Sequence, residues 1–487
     1  MMRTGKQYLE ALRDNRCVYM NGEKVDDVTT HPAFKGISET LAKLYDFSND
    51  ENNDMTYITE DGTTANKIFM IPRSREDLAI RREAITKWAE TTYGMVGRSP
   101  DHVASFLAGF SSWGEIFEKE ERNYRENVDN FYKYVRDNDL YLSYAIIPPQ
   151  IDRSKSSHEL DEKFLAMGVY EEREDGIVIR GSQMLGTAAA VADYMFISCI
   201  TPLRPGDEDY AVSFAVPCNA PGLKFYTRPS YAMGKSSTYD YPLSTQYDES
   251  DALLVFDDVF IPWDQVFVYK DIDLARSQFF ESPAHVLGNT QAQTRLMTKL
   301  KFIIGLAKKI TEMNGVAKLP PVQEKLGELA TLVATTEGLL LAAEYNCEID
   351  KNGVARPHPR YLYGAMGQQN TLYPKVIQIV RELVGGGVLQ VPSSFHELVN
   401  DETKGDVEKY IRSSSVDAVE KVKLYKLAWD IIGTEFGGRH LQYELFYGGA
   451  PFVVKGYAYR NYGFNEAEAL VDNCLQSYGL PVAELNK

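Results

Sequence analysis

The strongest constraint on this chain is a change of period in its middle. Between about Tyr141 and Asp273 the apolar residues fall into short runs: Ile177–Arg180, Met195–Ser198, Tyr210–Val216 and Leu253–Phe256. These runs are rich in β-branched and aromatic residues and are punctuated by Gly, Pro and Asp, which is the pattern of strands and turns. Roughly 130 residues of this kind, without strand–helix alternation, exclude a doubly wound α/β sheet and imply an all-β segment.

Helical patterns flank that segment. Ser74 precedes an acid, Asp77, at the third helical position, close to a capping box, and Leu78, Ile85 and Trp88 then share one face. Ser99-Pro100-Asp101 reads as a second start: Ser at the cap, Pro in the first turn, Asp at the positive helix end. After Pro283, residues 291–314, 321–350, 360–386 and 416–434 have the length and period of four packed helices, with Pro320, Pro321, Pro357 and Pro359 in the connections. Gly385-Gly-Gly387 follows a helix rather than a strand and lacks phosphate-loop spacing, so it reads as a helix end. The expected organisation is α+β: a helical part over 1–140, a β-part over 141–275 and a helical bundle with a tail over 276–487.

With 487 residues the chain can bury two or three cores. Its net charge of −17, without a dense Lys/Arg run, argues against nucleic acid or an anionic membrane as partner. The opening residues lack the apolar core of a signal peptide, and no run of about 18 apolar residues stands out as a membrane span. Cys17, Cys199, Cys218, Cys347 and Cys474 are scattered, which fits thiols in a reducing cytoplasm rather than a disulfide framework or a metal site. His285, His396 and His440 stand alone and read as structural.

Several local motifs carry a resemblance. Thr4-Gly-Lys-Gln-Tyr-Leu-Glu10, Val28-Thr-Thr-His-Pro-Ala-Phe34, Gly97-Arg-Ser-Pro-Asp101, Pro148-Pro-Gln-Ile-Asp-Arg153, Tyr239-Asp-Tyr-Pro-Leu-Ser244, Ile261-Pro-Trp263 and Glu435-Phe-Gly-Gly-Arg-His440 occur in this order. Together they resemble the oxygenase (large) component of the 4-hydroxyphenylacetate 3-monooxygenase family. That resemblance implies an acyl-CoA dehydrogenase-like fold with a central antiparallel, barrel-like β-domain between a helical domain and a bundle. It implies reduced FAD, delivered by a separate NAD(P)H:flavin reductase, and O₂ as co-substrate. It implies ortho-hydroxylation of a phenol to a catechol through a flavin C4a-hydroperoxide, in a homotetramer built as a dimer of dimers.

Such chemistry needs a dry pocket and a group that stabilises phenolate. Alone, Arg98 and His102 read as a surface arginine and a helix-start histidine. In the light of the resemblance they become the candidates for the phenol oxygen, Arg98 as a fixed charge and His102 as a neutral imidazole. Well-known family members carry Tyr at the position of His102 and His at that of Tyr144, so the two residue types are exchanged here. By resemblance Tyr144, Ala145, Ile146, Gln150, Ile151, Asp152 and Arg153 line the flavin. Thr187 meets its reactive edge, and Phe446, Tyr447, Gly448 and Gly449 form a C-terminal contact. Residues 201–209 correspond to a loop that closes over substrate; on their own they read as a solvated hairpin. No nicotinamide fingerprint is present, in keeping with a separate reductase.

Two other flavoenzymes share the expected architecture. A 4-hydroxybutyryl-CoA dehydratase needs three Cys and one His around an iron–sulfur cluster, a set this spacing does not offer. An acyl-CoA dehydrogenase needs a catalytic Glu and a CoA site, whose motifs are missing. A helical scaffold with a degenerate flavin site is opposed by the presence of Arg98, Arg153 and Thr187.

Overall fold

The computed structural model describes residues 2–119 and 122–479; the end of the tail, 480–487, lies outside the described residues. Helices α1 (Lys35–Asn49), α2 (Arg75–Thr91), α3 (Pro100–Ser111) and α4 (Tyr124–Asp137) dominate the first part. The capping box at Ser74 and Asp77 forms, and Leu78, Ile85 and Trp88 are buried on one face of α2. Sequence reading missed two strands here, β1 (Cys17–Met20) and β2 (Glu23–Val25), which are too short to show a period.

The middle segment holds β3 (Leu142–Ala145), β4 (Gly168–Glu172), β5 (Gly176–Thr187), β6 (Tyr194–Ile197), β7 (Val212–Pro217), β8 (Leu223–Thr227), β9 (Asp251–Pro262) and β10 (Val266–Tyr269). They form two open sheets, ordered β2-β1-β8-β9-β5-β4 and β10-β7-β6-β3. No closed barrel forms among the described residues. Most pairs are antiparallel, but β1 runs parallel to β8 and β3 parallel to β6. The first strand thus knits the N-terminal part into the larger sheet. Residues 201–209 form no hairpin: the buried Asp207 carboxylate accepts from the Ser156 hydroxyl and the His158 backbone N–H, pinning the loop to a neighbouring turn.

Beyond Ile272 the chain is helical: α5 (Ile272–Glu281), α6 (Ala284–Met313), α7 (Pro320–Tyr345), α8 (Pro359–Val384), α9 (Ala418–Ile432), α10 (Glu435–Phe446), α11 (Pro451–Asn461) and α12 (Phe464–Gln476). The four expected bundle helices are α6, α7, α8 and α9. α8 stops where Gly385 turns to φ +67°, as the triple glycine suggested. By length and composition α7 is apolar enough to cross a membrane, a feature the sequence reading passed over. It buries Leu329, Val333, Thr336, Leu340 and Ala343 inside the protein.

A buried charge network locks α6 to α10. Arg295 and Lys299 both donate to Glu444, and Lys299 also reaches His440 at 2.9 Å. This fixes the end of α10, and with it Phe446–Gly449.

Candidate functional site

Pro100 opens α3, where its missing N–H costs nothing. Ser99 occupies the cap position but its side chain does not cap the helix, contrary to expectation. Its hydroxyl donates instead to the Asp101 carboxylate at 2.5 Å. Asp101 also accepts from Gln291 Nε2 at 3.0 Å, and burial lifts its pKa to about 6 against these hydrogen bonds.

That contact orients the Gln291 amide. With Nε2 on Asp101, Oε1 faces His102 Nδ1 at 3.0 Å and can only accept. His102 Nδ1 therefore carries the proton, and Nε2 presents its lone pair to the Arg98 guanidinium, which can only donate. The Tyr447 hydroxyl lies 2.9 Å from the same Nδ1. Burial first, and the Arg98 charge second, hold the His102 pKa well below its ordinary value, so the imidazole is neutral. The helix-start argument reached the same protonation state by a different cause.

Arg98 is placed from both sides. Its backbone N–H donates to Glu249 at 2.6 Å, and its carbonyl accepts from the Tyr141 hydroxyl. Its guanidinium lies between two phenol rings, 4.2 Å from the centroid of Tyr447 and 4.7 Å from that of Tyr144. Among the described residues no carboxylate pairs with this guanidinium. Aromatic faces compensate a cation by about 2 kcal/mol when desolvated, less than a counter-ion would. The arrangement is suited to receive an anion.

Tyr144 stacks on His102 at 5.3 Å between centroids, so the exchanged pair face one another, and Phe106 packs against both. Burial raises the Tyr144 pKa, which keeps its hydroxyl protonated. Ala145, at the end of the same strand, and Ile146 just beyond it are buried.

Thr187 ends β5 beside β3: its carbonyl accepts from the Ser143 hydroxyl at 2.5 Å, while Met184 N–H reaches the Ile147 carbonyl at 3.0 Å. The Thr187 hydroxyl donates to Asp251 at 2.7 Å. Asp251 is gripped by Arg439 and Arg228, and Arg439 also holds Glu249 at 3.0 Å. Burial would raise the Asp251 pKa; the two arginines hold it far below its ordinary value instead. A charged chain thus runs from Thr187 through Asp251, Arg439 and Glu249 to the backbone of Arg98. Sequence reasoning missed Gln291, Glu249, Asp251 and Arg228 and gave Arg439 no role, although it stands in one of the quoted motifs.

The remaining expected residues lie elsewhere. Gln150, Ile151, Asp152 and Arg153 form an exposed turn, where Asp152 accepts from Ser154. Gly448 and Gly449 follow α10; a side chain at Gly448 would meet Met366 at 2.8 Å, and Gly449 has φ +106°. Large apolar side chains stay uncovered here and on β5: Ile151 is 55% exposed, Phe446 45% and, two residues before Thr187, Leu185 58%. Each of these side chains is free to meet a flat aromatic group.

Comparison with known proteins places the chain in a family. The model of the 4-hydroxyphenylacetate 3-hydroxylase N-terminal region matches residues 4–268, and that of the C-terminal region residues 275–476. The chain is 32% identical to a 4-hydroxyphenylacetate 3-monooxygenase oxygenase component of Geobacillus sp. (strain PA-9), covering 94% of this chain and 93% of the relative. It is 37% identical to a (3S)-3-amino-3-(3-chloro-4-hydroxyphenyl)propanoyl-[peptidyl-carrier protein SgcC2] monooxygenase of Streptomyces globisporus, covering 92% and 85%. A solved oxygenase component of 4-hydroxyphenylacetate 3-monooxygenase, complexed with FAD and 4-hydroxyphenylacetate, superposes with TM-score 0.93 at 32% identity over 98% of both chains. The fold alone extends to an archaeal 4-hydroxybutyryl-CoA dehydratase, TM-score 0.89 at 22% identity, and to a butyryl-CoA dehydrogenase, TM-score 0.50 at 12%. With both family models matched across nearly its whole length, the chain belongs to the 4-hydroxyphenylacetate 3-hydroxylase family.

Proposed function

We propose that this protein is the oxygenase component of a two-component, FAD-dependent monooxygenase that hydroxylates a phenolic ring beside its hydroxyl. The observation that carries the reading is Arg98, a cation between two phenol rings with no carboxylate partner among the described residues. Family membership and the uncovered apolar surface support it. In this reading the helical parts 1–140 and 276–487 clamp the β-part 141–275 in a homotetramer, in the cytoplasm.

The cofactor would be held by Tyr144, Ala145, Ile146, Gln150–Arg153, Thr187 and Phe446–Gly449. When bound, reduced FAD supplies the electrons with which O₂ is divided between the ring and water. The protein supplies position and charge. Arg98 leaves His102 Nε2 for the phenol oxygen and stabilises it as phenolate, which raises the electron density of the ring. The freed Nε2 then accepts the phenolic proton, while Gln291 keeps Nδ1 protonated and the ring oriented. Tyr144, protonated, donates toward the same oxygen. Residues 201–209, pinned at Asp207, cover the site and exclude water.

The test uses purified protein with FAD, O₂ and a phenol. With NADH alone no product should form; adding a flavin reductase should give a product one oxygen heavier by mass. Robust NADH oxidation by this chain alone, or no oxygenated product from any phenol with the reductase present, rejects the reading.

A further inference from the structure

A large cavity lies apart from the Arg98 cluster. It is a solvent-open cleft of about 780 Å³ between the 201–209 loop, α5, the start of α8 and α11. That volume matches sites for ligands much larger than a single phenol. Two of its walls continue from the candidate site. Ile146, two residues beyond Tyr144, accepts from the backbone of Ile200, two residues before Pro202 in the cavity wall. Two extended residues on each side of one strand spacing put the cavity within about 20 Å of Tyr144. The other wall, α11, starts directly after the Tyr447–Gly449 segment.

Its charge leans positive. Arg276, Arg356 and Arg460 all line the cavity. Arg356 is engaged by the carbonyls of Phe280, Glu281 and Ser282, which places its charge without neutralising it. Arg276 lies over Phe280 and Arg460 over Tyr457, and among the described residues none of the three is paired with a carboxylate. Asp273 and Glu281 also stand in the wall, leaving a net positive charge. Guanidinium groups fixed on aromatic faces and free of counter-ions are built to take phosphate or carboxylate.

We infer that the substrate of this monooxygenase is a phenol on a long arm, whose anionic end, a phosphate or carboxylate, docks among Arg276, Arg356 and Arg460 while the ring reaches Arg98. The inference rests on the function proposed above and narrows its substrate class. A phosphate end corresponds to a phosphopantetheine-type thioester, a carboxylate end to a free long-chain phenolic acid.

The experiment compares four probes with reductase-supplied enzyme: 4-hydroxyphenylacetate, the 4-hydroxycinnamoyl thioesters of 4′-phosphopantetheine and of pantetheine, and a phenolic fatty acid with a terminal carboxylate. Wild-type protein is set against the double variants Arg276→Ala/Arg460→Ala and Arg276→Lys/Arg460→Lys. For the anionic long probe that fits, KM should rise about tenfold in the alanine variant, with kcat unchanged and partial recovery in the lysine variant. The short phenol, 4-hydroxyphenylacetate, should keep its wild-type KM in both variants. Calorimetric titration of the long anionic probe should show the same loss of affinity. Arginine dependence of the phosphorylated thioester alone identifies a carrier-type substrate; dependence of the fatty acid alone identifies a free acid. If short phenols are hydroxylated but no anionic probe depends on the arginines, the inference is overturned and the monooxygenase reading stands. If the variants lose FAD affinity with substrate KM unchanged, the cavity serves the cofactor and the inference is again overturned. If no phenol is hydroxylated, the underlying reading fails and the inference with it.

Discussion

Gln291 on α6 accepts the Nδ1 proton of His102 on α3, so the second nitrogen of that ring must face Arg98 as an acceptor. The link is held by Asp101, which fixes the amide by accepting its other end. Gln291→Leu removes both bonds and leaves buried Asp101 and His102 under-satisfied, at a cost of about 1–3 kcal/mol. Thermal unfolding should shift down accordingly, and hydroxylation should fall because His102 no longer orients Arg98. If Gln291 acts only through His102, adding Gln291→Leu to His102→Gln should lower kcat little further. A fully additive loss would remove the positioning role.

Arg98→Ala should weaken binding of the phenol as phenolate by about 1.5–3 kcal/mol, the worth of a charged hydrogen bond. 4-Nitrophenol is a direct probe because its phenolate is coloured. Wild type loaded with FAD should bind it ionised below its free pKa, and Arg98→Ala should not. FAD affinity should fall less than phenol affinity, since Arg98 meets the segments assigned to the flavin only through the rings of Tyr144 and Tyr447. An unchanged 4-nitrophenolate spectrum in the variant refutes the assignment.

The Thr187 proton is already committed to Asp251, which leaves only its oxygen lone pairs for a ligand. Thr187→Val should therefore do two things at once. It should uncouple turnover, raising H₂O₂ per product, and loosen Asp251 between Arg228 and Arg439. Thr187→Ser keeps the hydroxyl and should restore both. If Thr187→Val turns over as tightly coupled as wild type, the residue serves only the charged chain.

How much of this was legible in the sequence depends on range. Local signals read well: the Ser74 capping box, the Gly385 helix stop and the four long helices of the last part each follow from residues close in sequence. Short strands read badly: β1 is held by pairing with β8, some 200 residues away, and β2 is an edge strand of three residues that pairs with β1 alone. The two halves of the candidate site divide the same way. Arg98 and His102 sit four residues apart, in and just after one motif, and the resemblance carried by that motif named them together. Gln291, Glu249 and Asp251 are joined to them only through the fold, and no spacing announces them; Tyr447 entered by resemblance as a flavin contact, and its place beside His102 is also a product of the fold. Ser99 misled for a related reason: a buried carboxylate two residues on outcompeted the helix N–H groups for its hydroxyl.

Burial of histidine makes the fold acid-sensitive in a way that can be isolated. His285 hydrogen-bonds to the Tyr363 hydroxyl, and burial pushes its pKa down to about 3. The unfolded chain takes up that proton below about pH 6.5, the folded protein only near pH 3. Stability contributed by neutral His285 is thus complete above the unfolded value and drains away as pH falls, by about 1.4 kcal/mol per pH unit. Asp101 works in the opposite sense, since its raised pKa favours the folded protein in mild acid. The comparison of wild type with His285→Gln cancels that term. Denaturant unfolding should show the gap between the two proteins changing with pH only below about pH 6.5; a constant gap down to about pH 4 contradicts the buried neutral state.

The exchanged pair offers the sharpest test of how the ring pocket was rebuilt. His102 is satisfied on every side, by Arg98 at Nε2 and by Gln291 and Tyr447 at Nδ1, while its face stacks on Tyr144. A phenol at position 102 has one hydroxyl and cannot serve Arg98 and Gln291 together, and it adds bulk against Phe106. His102→Tyr alone should therefore destabilise the protein and abolish hydroxylation. An imidazole at position 144 would meet the Arg98 guanidinium at the centroid distance of 4.7 Å now filled by a phenol face, and it removes the bulk that the first change adds. The double variant His102→Tyr/Tyr144→His should recover part of both losses, with a coupling of about 0.5–3 kcal/mol in a double-mutant cycle of unfolding free energies. The activity readout is separate: rates toward 4-hydroxyphenylacetate and toward a more acidic phenol of similar size. If His102 accepts the phenolic proton, His102→Gln should slow the weakly acidic phenol more than the acidic one, which ionises without help. Equal proportional losses would confine His102 to holding Arg98. Zero coupling between the two exchanges would mean that the stacked rings are neighbours without being partners, and that the pocket was adapted elsewhere.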